Sequence, residues 1–225
     1  NPVIKFLRKT IKSGKLGKIF LTTIRLRWSR GAKYYNQAKW RGTWKYDGGV
    51  IANQCAHHID LLQWISGMPI SVIAKTIKVH KGKKVEDTAL VILDYKKKNK
   101  LALIEATSAT RPKDIEGSIS VLGTKGSVVL GGYTASKIIT WDLKNISAAD
   151  KNKIKKIVKA TSNIFRDGHK QFYKHVIDSL KNKTNKHFLE GKEGLKSLKI
   201  INAIYKSSKK SNRIFLKQNL NTHLG

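Results

Sequence analysis

The sequence has little cysteine, little proline and little acid: one Cys, three Pro and 14 Asp plus Glu among 225 residues. A single thiol, Cys55, excludes an internal disulfide framework and any multi-cysteine zinc or iron–sulfur centre, and it fits a reducing cytoplasm. No apolar run approaches the roughly 18 residues that read as a membrane-spanning helix. No basic-then-apolar leader opens the chain. Internal repeats and Pro- or Ser-rich linkers are also missing, so one well-cored domain, or at most two small ones, is expected. The chain opens on Asn-Pro and passes at once into a helical pattern. That reads as a piece of a longer polypeptide, the other reading being a processed mature chain.

What the sequence has in excess is positive charge, with 46 Lys plus Arg and a formal net charge of +32. Three readings fit: phosphate contacts to nucleic acid, attraction of a small anionic substrate, or lysines scattered over solvated faces. The lysines are spread along the chain, as in "KKKNK", "KNKIKK" and "KNKTNK". No zinc-finger spacing, aromatic ribonucleoprotein strand or Gly-x-x-Gly clamp gathers them into a nucleic-acid module.

Hydrophobic periodicity predicts an α+β domain, a largely antiparallel open-faced sheet with helices on one face. Val3, Phe6, Leu7 and Ile11 mark a first helix, ended by Gly14 and Gly17. "KIFLTTIRLRW" alternates as a strand, with Thr23, Arg25 and Arg27 on its polar side and Phe20, Ile24, Leu26 and Trp28 near the other. An aromatic and glycine-rich loop follows, then a helix from Ile51 to Ser66 closed by Gly67 and Pro69. Strands are expected at 70–80, 85–95, 100–110, 116–122 and 127–131, and helices at 161–182 and 194–208. "NRIFL" could add a short strand. Too few helices remain to cover both sheet faces, so an open face is a natural self-association surface.

On a wheel for Ile51–Ser66, Asn53, His57 and Asp60 fall in one narrow sector at i, i+4 and i+7. Cys55, Ile59 and Leu62 lie opposite and form a core stripe. His58 sits nearer the apolar side and reads as structural, packed and hydrogen-bonded. His57 stands on the polar ridge. His57 and Asp60 are spaced like metal ligands, but no third ligand accompanies them, so no metal is expected.

"DGGVIANQCAHHIDLLQWISG" resembles the signature of the Gfo/Idh/MocA oxidoreductases, the family of glucose–fructose oxidoreductase and inositol dehydrogenase. The matching positions are Gly48, Gly49, Asn53, His57, Asp60, Leu61 and Leu62. "VEDTALVILDY", "GTKGSV", "DGHKQFYKHVIDSL" and "AIYKSSKKSNRIFL" continue the likeness in order. The resemblance implies an enzyme with a Rossmann domain for NAD or NADP followed by a C-terminal α/β domain for the substrate, of which only the second is present. No glycine-rich phosphate loop follows a strand, so no residue here is expected to bind the cofactor. The family's Glu-Lys-Pro segment has no counterpart either. Asn53 stands where many relatives carry Asp, and Cys55 where many carry Gly.

Within the family, "RLRWSRGAKYYNQAKWRGTWKYDGGVIANQ" most resembles the UDP-N-acetylglucosaminuronate 3-dehydrogenase branch. The resemblance makes His57 the catalytic base and Asn53 its neighbour. A base that takes the proton as hydride leaves a sugar hydroxyl is work suited to an imidazole. Arg27, Arg30 and Arg41 are candidates to hold a carboxylate or phosphate. Tyr34, Tyr35 and Trp40 are candidates to stack on a sugar or base, and Asp60 and His169 to face the pocket. The expected ligand is a small anionic sugar, the assembly a homodimer or homotetramer through the sheet face, and neither specific nucleic acid nor membrane is a partner. The alternatives are an inositol or simple-sugar dehydrogenase of the same family, and a non-catalytic basic binding module.

Overall fold

The computed structural model describes residues 1–95, 99–133, 135–160, 164–182 and 191–216, without the side chains of 158–160 and 164–168. Helix α1 (Pro2–Lys12) starts on Asn1, whose side chain accepts from the Val3 and Ile4 amides, with Pro2 pre-set for the first turn. It buries Val3, Ile4, Phe6 and Leu7. Strand β1 (Ile19–Arg27) follows, then a short helix α2 (Ala32–Asn36) inside the aromatic loop, and helix α3 (Ala56–Ser66). Strands β2 (Ser71–Ile77), β3 (Thr88–Asp94), β4 (Leu101–Thr107), β5 (Glu116–Gly123), β6 (Gly126–Gly131) and β7 (Lys137–Leu143) come next. Helices α4 (Ala148–Ala160), α5 (Ile164–Lys181) and α6 (Gly191–Lys210) and the short β8 (Ile214–Phe215) close the fold.

The strands form one eight-stranded sheet in the order β7-β6-β5-β1-β4-β3-β2-β8. Only the β1–β4 pairing is parallel; every other pairing is antiparallel. The expected α+β class, with a mostly antiparallel open sheet and helices on one side, is therefore what the chain adopts. Ile24, Leu26, Val72, Val91, Leu93, Ile104, Ile119 and Val121 line the buried face, joined by Ile59 and Leu62 of α3 and by Ile200 and Ile204 of α6. The other face stays open: Ile73, Ile77, Leu90, Ile92 and Leu101 are 40–57% exposed.

Three elements, α2, β7 and α4, were not expected from the sequence. The sequence pattern also started the helix of interest too early. Residues 50–54 form a turn rather than the first turn of α3, which begins at Ala56. The apolar side expected on α5 is present, yet Phe172, Val176, Ile177 and Leu180 are exposed. Residues 161–163 and the Phe165 side chain, part of that expectation, lie outside what is described.

Candidate active site

Helix α3 is fixed by its apolar stripe and by its C-terminus. Cys55, Ile59 and Leu62 are fully buried, and burial pushes the Cys55 thiol up to about 12, so it is an inert packing group. Gly67 takes φ +79°, a left-handed conformation glycine adopts without a Cβ penalty, and ends the helix. At that end Thr22 Oγ1 meets Ser66 Oγ at 3.0 Å, and the buried Lys100 donates to the Ser66 carbonyl at 2.5 Å. A cation on a C-terminal carbonyl complements the helix dipole. These contacts pin α3 to β1 and β4 and aim its N-terminal turn, with His57, at the end of the sheet.

There a cavity of about 630 Å³ opens, lined by Trp28, Arg30, Tyr34, Asn53, Gln54, His57, His58, Asp60, Leu61 and Tyr133. Its wall is an aromatic and cationic stack. Trp28 lies parallel to Tyr133 at 4.2 Å between ring centroids. The Arg30 guanidinium is 5.1 Å from the Trp28 ring and 5.5 Å from that of Tyr34, and donates to the Tyr133 hydroxyl and to Asp114. A second cavity of about 710 Å³ lies beyond the α3 ridge, lined by residues of α1, α3 and α6. His57, Asp60 and Leu61 face both cavities.

Five expected residues therefore meet: Arg30, Tyr34, Asn53, His57 and Asp60 share one cavity. Asn53 arrives from the preceding turn and not from α3 itself. Its side-chain amide donates to Asp47, whose other oxygen accepts from the Gly42 amide at 2.6 Å. A carboxylate only accepts, so it fixes which way the amide lies and leaves the Asn53 carbonyl oxygen as the acceptor turned away from Asp47.

The other candidates lie elsewhere. Arg27 is on the open sheet face, bonded to Glu105 at 2.6 and 3.0 Å and within 3.4 Å of Glu116. Arg41 stacks 4.0 Å over the Tyr34 ring, behind the cavity wall. Trp40 is 45% exposed. Tyr35 is buried, its hydroxyl 3.4 Å from Ser108 Oγ. His169 is exposed on α5, outside the cavity lining. His58 is buried and packed edge-to-face on Trp28 at 5.8 Å, but neither ring nitrogen meets a hydrogen-bond partner, contrary to the expectation that it would be hydrogen-bonded. Burial, with His57 adjacent, lowers its pKa to about 4, so it is neutral at pH 7.

Sequence reasoning missed Trp28 and Tyr133 as a stacked wall, as well as Gln54, which donates to the Tyr34 hydroxyl at 3.3 Å. Trp28 could have been found as the last residue on the alternating face of β1. Tyr133 carries no such signal, because it reaches the cavity from the turn between β6 and β7. No group of three or more His, Cys, Asp or Glu that could hold a metal occurs among the described residues.

A mostly antiparallel sheet, helices on one side and a histidine-bearing helix at a cavity together define an α+β domain with one candidate site. The sequence model of the oxidoreductase family's C-terminal alpha/beta domain, Gfo/Idh/MocA, matches residues 8–216, and the chain belongs to that family. Among solved structures, it is similar to the WlbA dehydrogenase from Bordetella pertussis in complex with NADH and UDP-GlcNAcA, at 34% identity and TM-score 0.88 over 97% of this chain and 62% of that one. The WlbA enzyme from Chromobacterium violaceum, also in complex with NADH and UDP-GlcNAcA, matches at 33% identity and TM-score 0.86, over 97% and 61%. Levoglucosan dehydrogenase, in complex with NADH and levoglucosan, shares the fold at 16% identity and TM-score 0.73, over 97% and 64%. No curated protein matches the chain by sequence. The chain thus spans about three fifths of the WlbA dehydrogenases' length.

Proposed function

We propose that this chain is the substrate-binding domain of an NAD(P)-dependent dehydrogenase that oxidises a ring hydroxyl of a UDP-linked N-acetylated sugar or uronate. The observation that carries the reading is the cavity itself: His57 and Asn53 at its floor, with a guanidinium and stacked aromatics at its wall. His57 is the general base that accepts the hydroxyl proton. The Asn53 carbonyl oxygen, oriented by Asp47, accepts a hydrogen bond from that hydroxyl or from the imidazole. Arg30 supplies a fixed positive charge for a phosphate or carboxylate, and Trp28 with Tyr133 offers flat apolar surface to a base or sugar face.

A nicotinamide cofactor supplies the hydride acceptor when bound. The residues of this chain do not fit its pyrophosphate: among the described residues no strand passes through a glycine-rich turn into a helix. We assign the cofactor to a dinucleotide-binding domain outside residues 1–225, and expect this chain alone to be inactive. The open sheet face is the proposed surface for a homodimer or homotetramer. The similarity to levoglucosan dehydrogenase in fold keeps a simple-sugar substrate as the second reading.

The test is turnover by the intact enzyme with His57→Asn. Loss of a general base is expected to lower kcat by ~10²–10⁴-fold, whereas His58→Asn lowers thermal stability with a smaller effect on kcat. Equal and mild effects of the two substitutions on kcat would end the assignment.

A further inference from the structure

The turn that delivers Asn53 is held from beneath by two residues outside the cavity. Its amides are satisfied in succession. Val50 N–H donates to the Glu86 carbonyl at 3.1 Å, Ile51 N–H to Glu86 Oε1 at 3.1 Å, Ala52 N–H to the Tyr205 hydroxyl at 3.2 Å, and Asn53 N–H to the Gly49 carbonyl at 2.9 Å. Tyr205 in turn donates to Glu86 Oε1 at 2.9 Å. Glu86 is 5% exposed just before β3, and Tyr205 comes from α6. Two elements far apart in the chain thus converge on three consecutive amides of a turn that has no helix or strand ladder of its own to satisfy them.

The double glycine of the turn is shaped to this contact. A Cβ at Gly49 would lie 1.9 Å from Glu86 Oε2, so any side chain there displaces the carboxyl group. Gly48 takes φ +70°, and a Cβ on it would sit 2.7 Å from the Ala52 methyl. Trp44 packs edge-to-face on Tyr205 at 5.3 Å and donates its indole N–H to the Lys84 carbonyl at 2.9 Å, closing the outer side. Burial raises the pKa of Glu86 and that of Tyr205, which agrees with a pair that shares its hydrogen bonds in a dry environment.

We propose that Glu86 and Tyr205 are positioning residues: a buried clamp that sets the 49–53 turn and thereby the placement of Asn53 beside His57. The proposal rests on the reading of His57 and Asn53 as the reacting centre. Misplacing a catalytic group by about 1 Å costs on the order of 10²-fold in rate, so the clamp acts on kcat without touching the substrate.

The experiment compares Tyr205→Phe, Glu86→Leu and Glu86→Gln in the intact enzyme, with UDP-N-acetylglucosaminuronate and NAD as the assay pair. Amide hydrogen exchange over residues 50–53 is followed in the same proteins. Tyr205→Phe and Glu86→Leu should lower kcat ~10–100-fold, with KM changing less, and speed exchange at 50–53 at least ~10-fold while β3 and β4 stay protected. Glu86→Gln keeps an acceptor oxygen and should recover kcat to within ~3-fold of the parent. If Glu86→Leu does not fold, Tyr205→Phe decides. Unchanged exchange at 50–53 in Tyr205→Phe overturns the clamp whether or not the assay pair is turned over, as does unchanged kcat in a folded Tyr205→Phe. So does a Glu86→Gln as impaired as Glu86→Leu. His57→Asn in parallel separates the two claims: a harmless His57→Asn removes the proposed site, whereas an inactive His57→Asn beside a harmless Tyr205→Phe removes the clamp alone.

Discussion

Arg27 and Arg30 are near neighbours in sequence and stand on opposite sides of the sheet. Arg27 is tied to Glu105 and Glu116 on the open face; Arg30 is tied to Asp114 and Tyr133 at the cavity. Alternation along β1 placed Arg27 on a polar face correctly, but in a sheet with one open side that face is not the pocket side. Nothing local in the sequence reveals the Glu105 partner, 78 residues away. The two arginines are therefore expected to behave differently. Arg30→Ala should raise KM for an anionic sugar ~10-fold or more with a smaller change in kcat, as ground-state charge pairing is lost. Arg27→Ala should leave KM within ~2-fold. Steady-state kinetics on the intact enzyme checks this, and the reverse ranking would displace Arg30 from the site.

At the scale of elements, the helical wheel foresaw that His57 and Asp60 share a ridge and that Asn53 joins them, although the helix starts later than the pattern suggested. The reason is that the turn buries Ile51 and Cys55 completely, the same residues a longer helix would bury. Hydrophobic spacing is therefore the same for both, and only the glycines before the turn distinguish them. β7 was hidden because its residues are largely exposed or half-buried, and α4 because its five lysines outnumber its large apolar residues, Ile154, Ile157 and Val158. His58, on α3, links this element to pH. Its pKa lies below the ordinary 6.5, at about 4, because the folded state disfavours the charged ring. The unfolded chain then binds the proton more readily, so its contribution is fully present above pH 6.5. That contribution is lost as the pH falls toward 4, by at most about 1.4 kcal/mol per pH unit. Thermal unfolding from pH 7 to pH 4 should show a shallower decline for His58→Leu than for the parent, and parallel curves would mean that His58 does not carry the effect.

Across the whole molecule, the scarcity of acid is not felt at random. Asp94, Glu105, Asp114, Glu116, Asp150 and Glu193 are all engaged with Lys or Arg. The open sheet face combines such pairs with Ile73, Leu90, Ile92 and Leu101, an apolar strip with a charged border. This composition suits contact with a second copy of the same face. Leu90→Lys, at a position 57% exposed in the single chain, should leave the fold intact and reduce the mass measured by light scattering to that of one subunit. An unchanged mass would place any self-association elsewhere. No helix among the described residues is long and apolar enough to cross a membrane.

The central claim is that this domain holds a nucleotide-linked anionic sugar, and a substrate panel on the intact enzyme tests it most directly. UDP-N-acetylglucosaminuronate and related UDP-sugars, myo-inositol and free glucose are each offered with NAD and with NADP, and reduced cofactor is followed by absorbance. Turnover of the UDP-linked acidic sugar is expected, and none of comparable efficiency for the neutral compounds, with Arg30→Ala narrowing the gap. Efficient oxidation of myo-inositol or glucose, with the UDP-sugars inert, would contradict it and give the site to a simple sugar.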